Sequence, residues 1–209
     1  RWARCANPTA GGAASLCGGA PARPGPARFS GMIARHDVTQ FGGSPTAVRA
    51  LRRHGDPTAG HDLSSLRILG STGEPWDEES WHWFYEHVGG ERCPIINISG
   101  GTEICGCFLM PMPDQPLKPT SLGGPGLGMD VDIVDASGES VADAGERGYL
   151  VARDSCPSTT KSLWAGDERY LEEYWSTFEG LWNHGDWAQT DADGFWYLHG
   201  RADDALNVA

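Results

Sequence analysis

Short apolar runs that alternate with helical patterns constrain the fold of this chain more than any other feature of the sequence. The segments LSSLRILG (63–70) and CPIINIS (93–99) have the composition of buried strands, and VTQFGG (38–43) is a shorter candidate. Helical patterns separate the three runs. Strands that alternate with helices predict a parallel sheet with helices packed over it. We therefore expect an α/β fold in this part of the chain.

Three amphipathic patterns predict the helices of this part. Apolar residues at helical spacing predict one helix in FSGMIARH (29–36) and another in SPTAVRALRRH (44–54), where Pro45 suits the first turn. The third helix is predicted to start at Pro75, with acidic residues in its first turn and a glycine pair after its end. Its apolar stripe consists of Trp81, Phe84, Tyr85 and Val88. Rings at this spacing are typical of core packing.

The sequence changes in character at the proline-rich segment PMPDQPLKP (111–119). The runs MDVDIVD (129–135) and GYLVAR (148–153) beyond it predict β-strands separated by turns. A helical patch, ERYLEEYWSTF (168–178), precedes a last pair of strands, for which Asp193-Gly194 forms the hairpin turn. The second part of the chain is therefore predicted to be rich in β-structure.

The charge balance limits the partners that the chain can have. Sixteen Lys and Arg residues against 28 Asp and Glu residues leave a net charge of -12 at pH 7, which would repel a phosphate backbone over most of the surface. No apolar run approaches the ~20 residues that a membrane span requires. We expect neither nucleic-acid binding nor a membrane span. A small anionic ligand is compatible with this charge, because backbone amides, a metal ion and one or two arginines can build a local positive site.

The cysteines and the two ends of the sequence carry expectations about location and completeness. None of the six cysteines belongs to a CxxC pair, and the opening residues lack the apolar centre of a secretion signal, so reduced thiols in a cytoplasmic protein are expected. The closing residues ALNVA stop without a polar tail or turn. We therefore treat the sequence as a fragment.

Three segments place small or charged residues directly after a predicted strand. They are GSTGEP (70–75), NISGGTE (97–103) and the pair Gly185-Asp186 with Gly200-Arg201. Ligands of open α/β sheets bind at the carboxyl ends of strands, and glycine lets the backbone approach a flat or phosphorylated ligand closely. Taken alone, either of the first two segments could be an ordinary strand-to-helix turn.

Five ordered segments together resemble one family, the adenylate-forming acyl-CoA synthetases, and within it the short-chain, acetyl-CoA synthetase-like branch. The resemblance runs from about Ala20 to the last residue. The segments are SPTAVRAL, DLSSLRILGSTGEPW, ERCPIINISGGTEICG, ERGYLVA and ERYLEEYWSTFEGLWNHGDWAQTDADGFWYLHGRADDALNV. The resemblance implies a fragment of the large N-terminal domain of such an enzyme, in which part of a parallel sheet with packed helices is followed by a β-rich, distorted barrel-like subdomain.

The resemblance also implies domain limits. Residues 1–27 receive no assigned element, 28–112 form a partial α/β nucleotide-binding subdomain, and 113–200 form the β-rich subdomain. Residues 201–209 would begin the hinge to a carboxy-terminal lid, with Asp203 at the hinge position. A lysine-bearing phosphate loop and a lid lysine, which the family uses, are absent from this sequence. The fragment alone is therefore expected to be inactive.

By the same resemblance, the loops after the first two strand ends bind the nucleotide. Gly73, Glu74 and Pro75 would line the adenine side of an ATP and acyl-AMP pocket, and Asn97 would meet the adenine edge. Ser99 stands where many relatives have a ring that stacks on adenine, so adenine packing would rely on other groups.

The resemblance implies that Thr102 and Glu103 are the catalytic residues and that further residues bind the nucleotide. Gly101 would belong to the nucleotide-binding residues, and Thr102 would hydrogen-bond the α-phosphate. Glu103 would help to hold Mg²⁺, which prefers carboxylate and phosphate oxygens. Asp186 would accept hydrogen bonds from both ribose hydroxyls, and Arg201 would contact the ribose or the α-phosphate.

Several of these residues have a simpler interpretation that the sequence leaves open. Glu74 before a proline could cap a helix, Asp186 could stabilise a turn, and Arg201 could form a surface ion pair with Asp203 or Asp204.

The implied reaction joins a carboxylic acid to coenzyme A at the expense of ATP. The acid attacks the α-phosphate and expels pyrophosphate, and the thiol of coenzyme A then attacks the acyl carbon and releases AMP. Acetate-specific relatives have a tryptophan where this chain has Gly100, so a wider acyl pocket is expected. Two further readings stay open: another adenylate-forming enzyme, such as a peptide-synthetase adenylation domain or a coumarate-type ligase, and a non-catalytic carbohydrate-binding or interaction module.

Overall fold

The computed structural model describes residues 11–14, 20–164 and 166–202. Its α-helices are α1 (Arg28–His36), α2 (Pro45–Arg52), α3 (Glu78–Trp83) and α4 (Asp167–Trp175). A π-helical turn (Phe84–Val88) continues α3, and a short 3₁₀ turn spans Ala142–Ala144. The strands are β1 (Gln40–Gly43), β2 (Ile68–Thr72), β3 (Ile95–Ile98), β4 (Val131–Val134), β5 (Gly148–Ala152), β6 (Trp182–Thr190) and β7 (Trp196–Arg201).

The first three strands form a parallel sheet in the order β1-β2-β3. Helix α2 connects β1 to β2, and α3 with its π-helical turn connects β2 to β3. Residues that belong to the sheet, the helices and the segments between them share one apolar core, which includes Val48, Leu66, Leu69, Phe84 and Ile95. The α/β fold predicted for this part is confirmed.

The last four strands form an antiparallel sheet in sequence order, β4-β5-β6-β7. Its core contains Ile133, Leu150 and Trp182, and the ring of Tyr174 on α4 stacks on Trp182 with ring centroids 4.2 Å apart. The pairing of β6 with β7 shifts register between Asp186 and Ala188. A bulge of this kind re-aims the side chains beside it.

The β-rich second part predicted from the sequence is confirmed, whereas the limits at residues 27, 112 and 200 stay a prediction. In the part of the chain that the structure describes, no helix has the length and apolar character needed to cross a membrane.

The start of α3 differs from the prediction. The sequence predicted a helix that begins at Pro75, but Pro75 and Trp76 precede the helix and Asp77 is its N-cap. The Asp77 carboxylate accepts a hydrogen bond from the backbone N–H of Ser80 at 2.8 Å, which satisfies one of the unpaired donors of the first turn. Trp76 instead enters the core and stacks on Phe84, with ring centroids 5.7 Å apart. The capping side chain therefore sets the helix start.

Replacing this cap tests the corrected boundary. Asp77→Ala is expected to lower the free energy of unfolding by about 1 kcal/mol, because the Ser80 N–H loses its acceptor. Asp77→Asn keeps a capping oxygen and removes only the charge that pairs with Arg49 at 3.1 Å, so it serves as the matched control. Urea unfolding followed by circular dichroism measures both. Equal losses in the two variants would contradict the capping role.

A charged clamp joins the proline-rich segment to the β6–β7 hairpin. Lys118 Nζ lies 2.6 Å from Asp191 Oδ2 and 2.7 Å from Asp193 Oδ2. The hydrogen bond from Lys118 lowers the pKa of Asp191 to about 2. Next to the clamp, the backbone N–H of Leu122 donates to the carbonyl of Trp196 at 2.8 Å. The clamp therefore fixes the end of this segment against the antiparallel sheet.

The clamp predicts a pH dependence of stability. Because the pKa of Asp191 falls from 3.8 to about 2 on folding, its charge stabilises the fold above pH 3.8, and this contribution is lost as the pH falls through about 2. Asp191→Asn should therefore unfold at lower urea than the wild type at neutral pH, and the two should converge in acid. Asp193→Asn, at a site with 69% of the side chain exposed, is the control with a smaller effect. A constant difference across this pH range would refute the assignment.

Candidate functional site

The carboxyl ends of β2 and β3 lie side by side. Ser71 pairs with Asn97 and Thr72 with Ile98, so the loops that follow the two strands leave the same edge of the sheet. Gly73 has a φ of 108°, in the region that favours glycine, and a Cβ placed there would meet no heavy atom within 4 Å. The backbone at Gly73 is therefore open to an approaching ligand.

The side chain of Glu74 turns from this edge toward α2. Its Oε1 accepts a hydrogen bond from the backbone N–H of Thr46 at 2.8 Å, and its Oε2 accepts one from Arg49 at 2.5 Å. Burial alone would raise the pKa of Glu74, but these hydrogen bonds and the charge of Arg49 lower it. The carboxylate thus supports the first turn of α2, a capping role on a different helix from the one that follows Pro75.

Asn97 and Ser99 are both buried beside this edge. Asn97 Nδ2 donates to the carbonyls of Thr120 and Ser121, each at 3.3 Å, and ties β3 to the residues that directly follow the proline-rich segment. The backbone N–H of Ser99 donates to the carbonyl of Leu109 at 3.0 Å. This pairing draws residues 100–108 into a closed loop between Ser99 and Leu109.

The closed loop depends on glycine at position 100. A Cβ at Gly100 would collide with the carbonyl oxygen of Gly106 and lie 3.2 Å from the Cα of Cys107. Any side chain at this position would have to displace backbone, not the end of a flexible side chain. The shape of the loop therefore requires glycine at position 100, in addition to the acyl-pocket role expected from the sequence.

Gly101 brings this loop against the antiparallel sheet. A Cβ at Gly101 would lie 2.5 Å from Cε1 and 3.1 Å from Nε2 of His184, and it would also collide with the Glu103 carboxylate. Thr102 is exposed. Behind the loop, the Glu103 carbonyl accepts a hydrogen bond from the backbone N–H of Thr160 at 3.1 Å. Burial and the charge of Glu103 raise the pKa of Tyr174.

The first half of β6 and the end of β7 supply the residues that face this loop. Arg201 Nη1 donates to the carbonyl oxygen of His184 at 2.6 Å and lies 3.6 Å from Asp186 Oδ1. His184 Nε2 lies 4.0 Å from Asp186 Oδ2. Gly185, with a φ of 78°, makes room for the guanidinium, since a Cβ there would lie 2.6 Å from Arg201 Nη2. Arg201 thus pairs with Asp186, whereas Asp203 and Asp204 lie outside the described residues.

These contacts bring together one group of residues, which we call the strand-end cluster. Its members are Gly101, Glu103, His184, Asp186 and Arg201. Of the residues predicted from the sequence, the structure places Gly101, Glu103, Asp186 and Arg201 in it, while Gly73, Pro75, Asn97 and Ser99 lie at or beside the β2–β3 edge.

Sequence reasoning missed His184. The one feature of the sequence that could have indicated His184 is its position next to the Gly185-Asp186 pair. A single histidine does not indicate a site unless its neighbours in space are known. Burial lowers the pKa of its imidazole, against the opposing charge of Asp186.

The cluster limits the kind of cation that could bind there. In the described ranges, no three or more His, Cys, Asp and Glu side chains are grouped so that they could hold a metal ion. Glu103 offers a half-buried carboxylate beside Gly101. Mg²⁺ commonly takes one or two protein carboxylates and completes its shell with phosphate oxygens and water. The donor set fits a cation that arrives with a phosphorylated ligand.

Comparisons with known proteins agree on one family. The model of the AMP-binding enzyme family matches residues 3–164. The chain is 42% identical over 205 residues to an acetyl-coenzyme A synthetase of Psychromonas ingrahamii and 40% identical over 205 residues to one of Drosophila melanogaster. Each alignment covers 97% of this chain, but the chain spans only 31% and 30% of these relatives.

Two solved structures resemble the fold. The acetoacetyl-CoA synthetase of Streptomyces lividans matches 90% of this chain and 29% of its own, with 33% identity and a TM-score of 0.79. An anthranilate CoA ligase in complex with anthranoyl-AMP matches 93% of this chain and 35% of its own, with 29% identity and a TM-score of 0.77.

Proposed function

Because the chain belongs to the AMP-binding enzyme family, as its sequence predicted, we propose that it is part of an ATP-dependent acid–CoA ligase. Such an enzyme activates a carboxylic acid as acyl-AMP and transfers the acyl group to coenzyme A. The observation that carries the proposal is the meeting of the loop after β3 with the ends of β6 and β7 in the strand-end cluster. The names of the relatives and of the solved neighbours support it.

The adenine would lie at the β2–β3 edge. The open backbone at Gly73, together with the backbone of the neighbouring Glu74 and with Pro75, would border its flat face. Because Asn97 Nδ2 is bound to the backbone of residues 120–121, we assign the contact with the adenine amino group to Asn97 Oδ1. Buried Ser99 would lie beneath this contact and hold the loop closed.

The ribose and the phosphates would lie at the strand-end cluster. The two oxygens of Asp186 suit two adjacent hydroxyls, since a carboxylate can accept both hydrogen bonds side by side. Arg201, held by the carbonyl oxygen of His184, would place its positive charge at the ribose or the α-phosphate. Exposed Thr102 would donate its hydroxyl to an α-phosphate oxygen.

The chemistry needs positioning more than a protein nucleophile. The substrate carboxylate attacks the α-phosphorus and pyrophosphate leaves; the coenzyme A thiol then attacks the acyl carbon and AMP leaves. Thr102 and Arg201 would orient the phosphate and offset its charge, and a single preorganised donor of this kind is worth about 10²–10³-fold in rate. Mg²⁺, held through Glu103, would neutralise phosphate oxygens.

The ribose assignment predicts a severe defect when Asp186 is removed. In the enzyme with both flanking segments present, Asp186→Ala should reduce kcat/KM for ATP by about 100-fold, because two hydrogen bonds to a charged acceptor are lost. Asp193→Ala, a carboxylate in the β6–β7 turn whose side chain is 69% exposed, is the matched control and should change it little. ATP–pyrophosphate exchange measures both. Full activity of Asp186→Ala would remove the ribose assignment.

Gly100 leads to a proposal about the acid. No bulky side chain can stand at position 100 while the Gly106 carbonyl occupies its place, so the acyl pocket would not be closed from this side. Acids longer than acetate, such as propionate, butyrate or a branched acid, should then be accepted. We expect a higher kcat/KM for butyrate than for acetate in the coupled AMP-release assay. A strong preference for acetate would contradict the wider pocket.

We also propose that the protein functions in a reducing compartment, the cytoplasm. Cys93, Cys105, Cys107 and Cys156 are free thiols in the structure. Burial raises the pKa of Cys93 and Cys107, which keeps these two thiols in the unreactive protonated form.

A nucleotide titration separates this proposal from the non-catalytic readings. An adenylate-forming enzyme should bind ATP or AMP selectively over other nucleotides, whereas a carbohydrate-binding or interaction module has no reason to do so.

A further inference from the structure

His184 is the member of the strand-end cluster to which no role has been given. It lies near the start of β6, and its side chain is only 9% exposed. Its ring packs edge-on against Phe108, with ring centroids 4.8 Å apart, and its Cε1–Nε2 edge faces Gly101. Asp186, Arg201 and Glu103 are the charged groups that act on it. Burying a polar ring between these charges costs more free energy than burying an apolar side chain of the same size.

The two ring nitrogens have different surroundings. Nδ1 is buried and has no hydrogen-bond partner among the residues that the structure describes. Nε2 lies on the side of Asp186, 4.0 Å from its Oδ2. A proton on Nδ1 would leave a buried donor without an acceptor, whereas a proton on Nε2 points to a carboxylate. The surroundings therefore favour the neutral tautomer with the proton on Nε2.

From this geometry, and resting on the function proposed above, we infer that His184 is a positioning residue for Asp186. Its Nε2–H donates to Asp186 Oδ2 when a nucleotide binds and holds the carboxylate toward the ribose hydroxyls. The 4.0 Å separation is longer than a hydrogen bond, and such contacts commonly tighten only when the ligand is present. Arg201 Nη1 lies 3.6 Å from the other oxygen, Oδ1, so the carboxylate lies between two groups that can donate a hydrogen bond.

The inference separates orientation from packing. Glutamine can place an amide N–H near the position of Nε2, and methionine has a similar length and shape but no donor. If His184 orients Asp186, His184→Gln keeps most of its effect and His184→Met loses it. If His184 only fills space, the apolar methionine performs at least as well as glutamine.

The readout is the preference for a ribose that carries both hydroxyls. In the enzyme with both flanking segments present, ATP–pyrophosphate exchange is measured with ATP and with 2′,3′-dideoxy-ATP, and the ratio of the two kcat/KM values is taken. We expect the wild type and His184→Gln to keep this ratio within a few-fold of each other. His184→Met should reduce it about tenfold, toward the value for Asp186→Ala. Thermal unfolding of each variant is measured alongside.

The outcomes distinguish this inference from the proposed function. If the wild type does not exchange pyrophosphate, the proposed function fails. If it exchanges pyrophosphate but does not prefer ATP to the dideoxy nucleotide, the ribose assignment fails. If the wild type prefers ATP and His184→Met keeps that preference, the positioning role is overturned. A stability loss in His184→Met with an unchanged ratio overturns it equally.

A second measurement requires no variant. The ¹⁵N chemical shifts of the imidazole in the wild-type enzyme report which nitrogen carries the proton. We expect the Nε2–H tautomer with AMP bound. An Nδ1–H tautomer would overturn the inference even if no variant at position 184 folds.

Discussion

The site depends on a close approach between two backbone segments and one buried ring. Gly101 lies against the His184 imidazole, and Gly100 lies against the Gly106 carbonyl, at distances that no Cβ could tolerate. The first contact joins the loop after the parallel sheet to the antiparallel sheet, and the second gives that loop its closed shape. Glu103 and Asp186 can share one cluster only because both contacts are made through glycine.

Two acidic side chains of the site, Glu74 and Asp186, have different kinds of partners. The charged carboxylate of Glu74 is paired with Arg49 and accepts a hydrogen bond from the first turn of α2, so it stabilises the fold. Asp186 lies between Arg201 and His184, with its Oδ1 3.6 Å from Arg201 Nη1 and its Oδ2 4.0 Å from His184 Nε2, so its carboxylate belongs to the strand-end cluster.

The proline-rich segment connects the two sheets by more than chain continuity. Asn97 of the parallel sheet binds the residues that directly follow this segment, while Lys118 and the backbone of Leu122 bind the β6–β7 hairpin. The strands that carry Asp186 and Arg201 are therefore tied to the sheet that carries Asn97. Such ties let residues far apart in sequence hold the fixed geometry that positioning catalysis requires.

The order of strands and helices and the β-rich second part could be predicted from sequence, because hydrophobic periodicity and glycine placement are local properties. Glu103, Asp186 and Arg201 are identified as site residues through the resemblance to a family, and their roles stay a prediction. Only the tertiary structure decided that Asp77 caps α3, which begins after Pro75, that Glu74 turns to α2, and that His184 lies between Gly101 and Asp186. Each of these features depends on contacts between side chains of different helices, strands and loops. The spacing of residues along the sequence does not give the distances between such side chains.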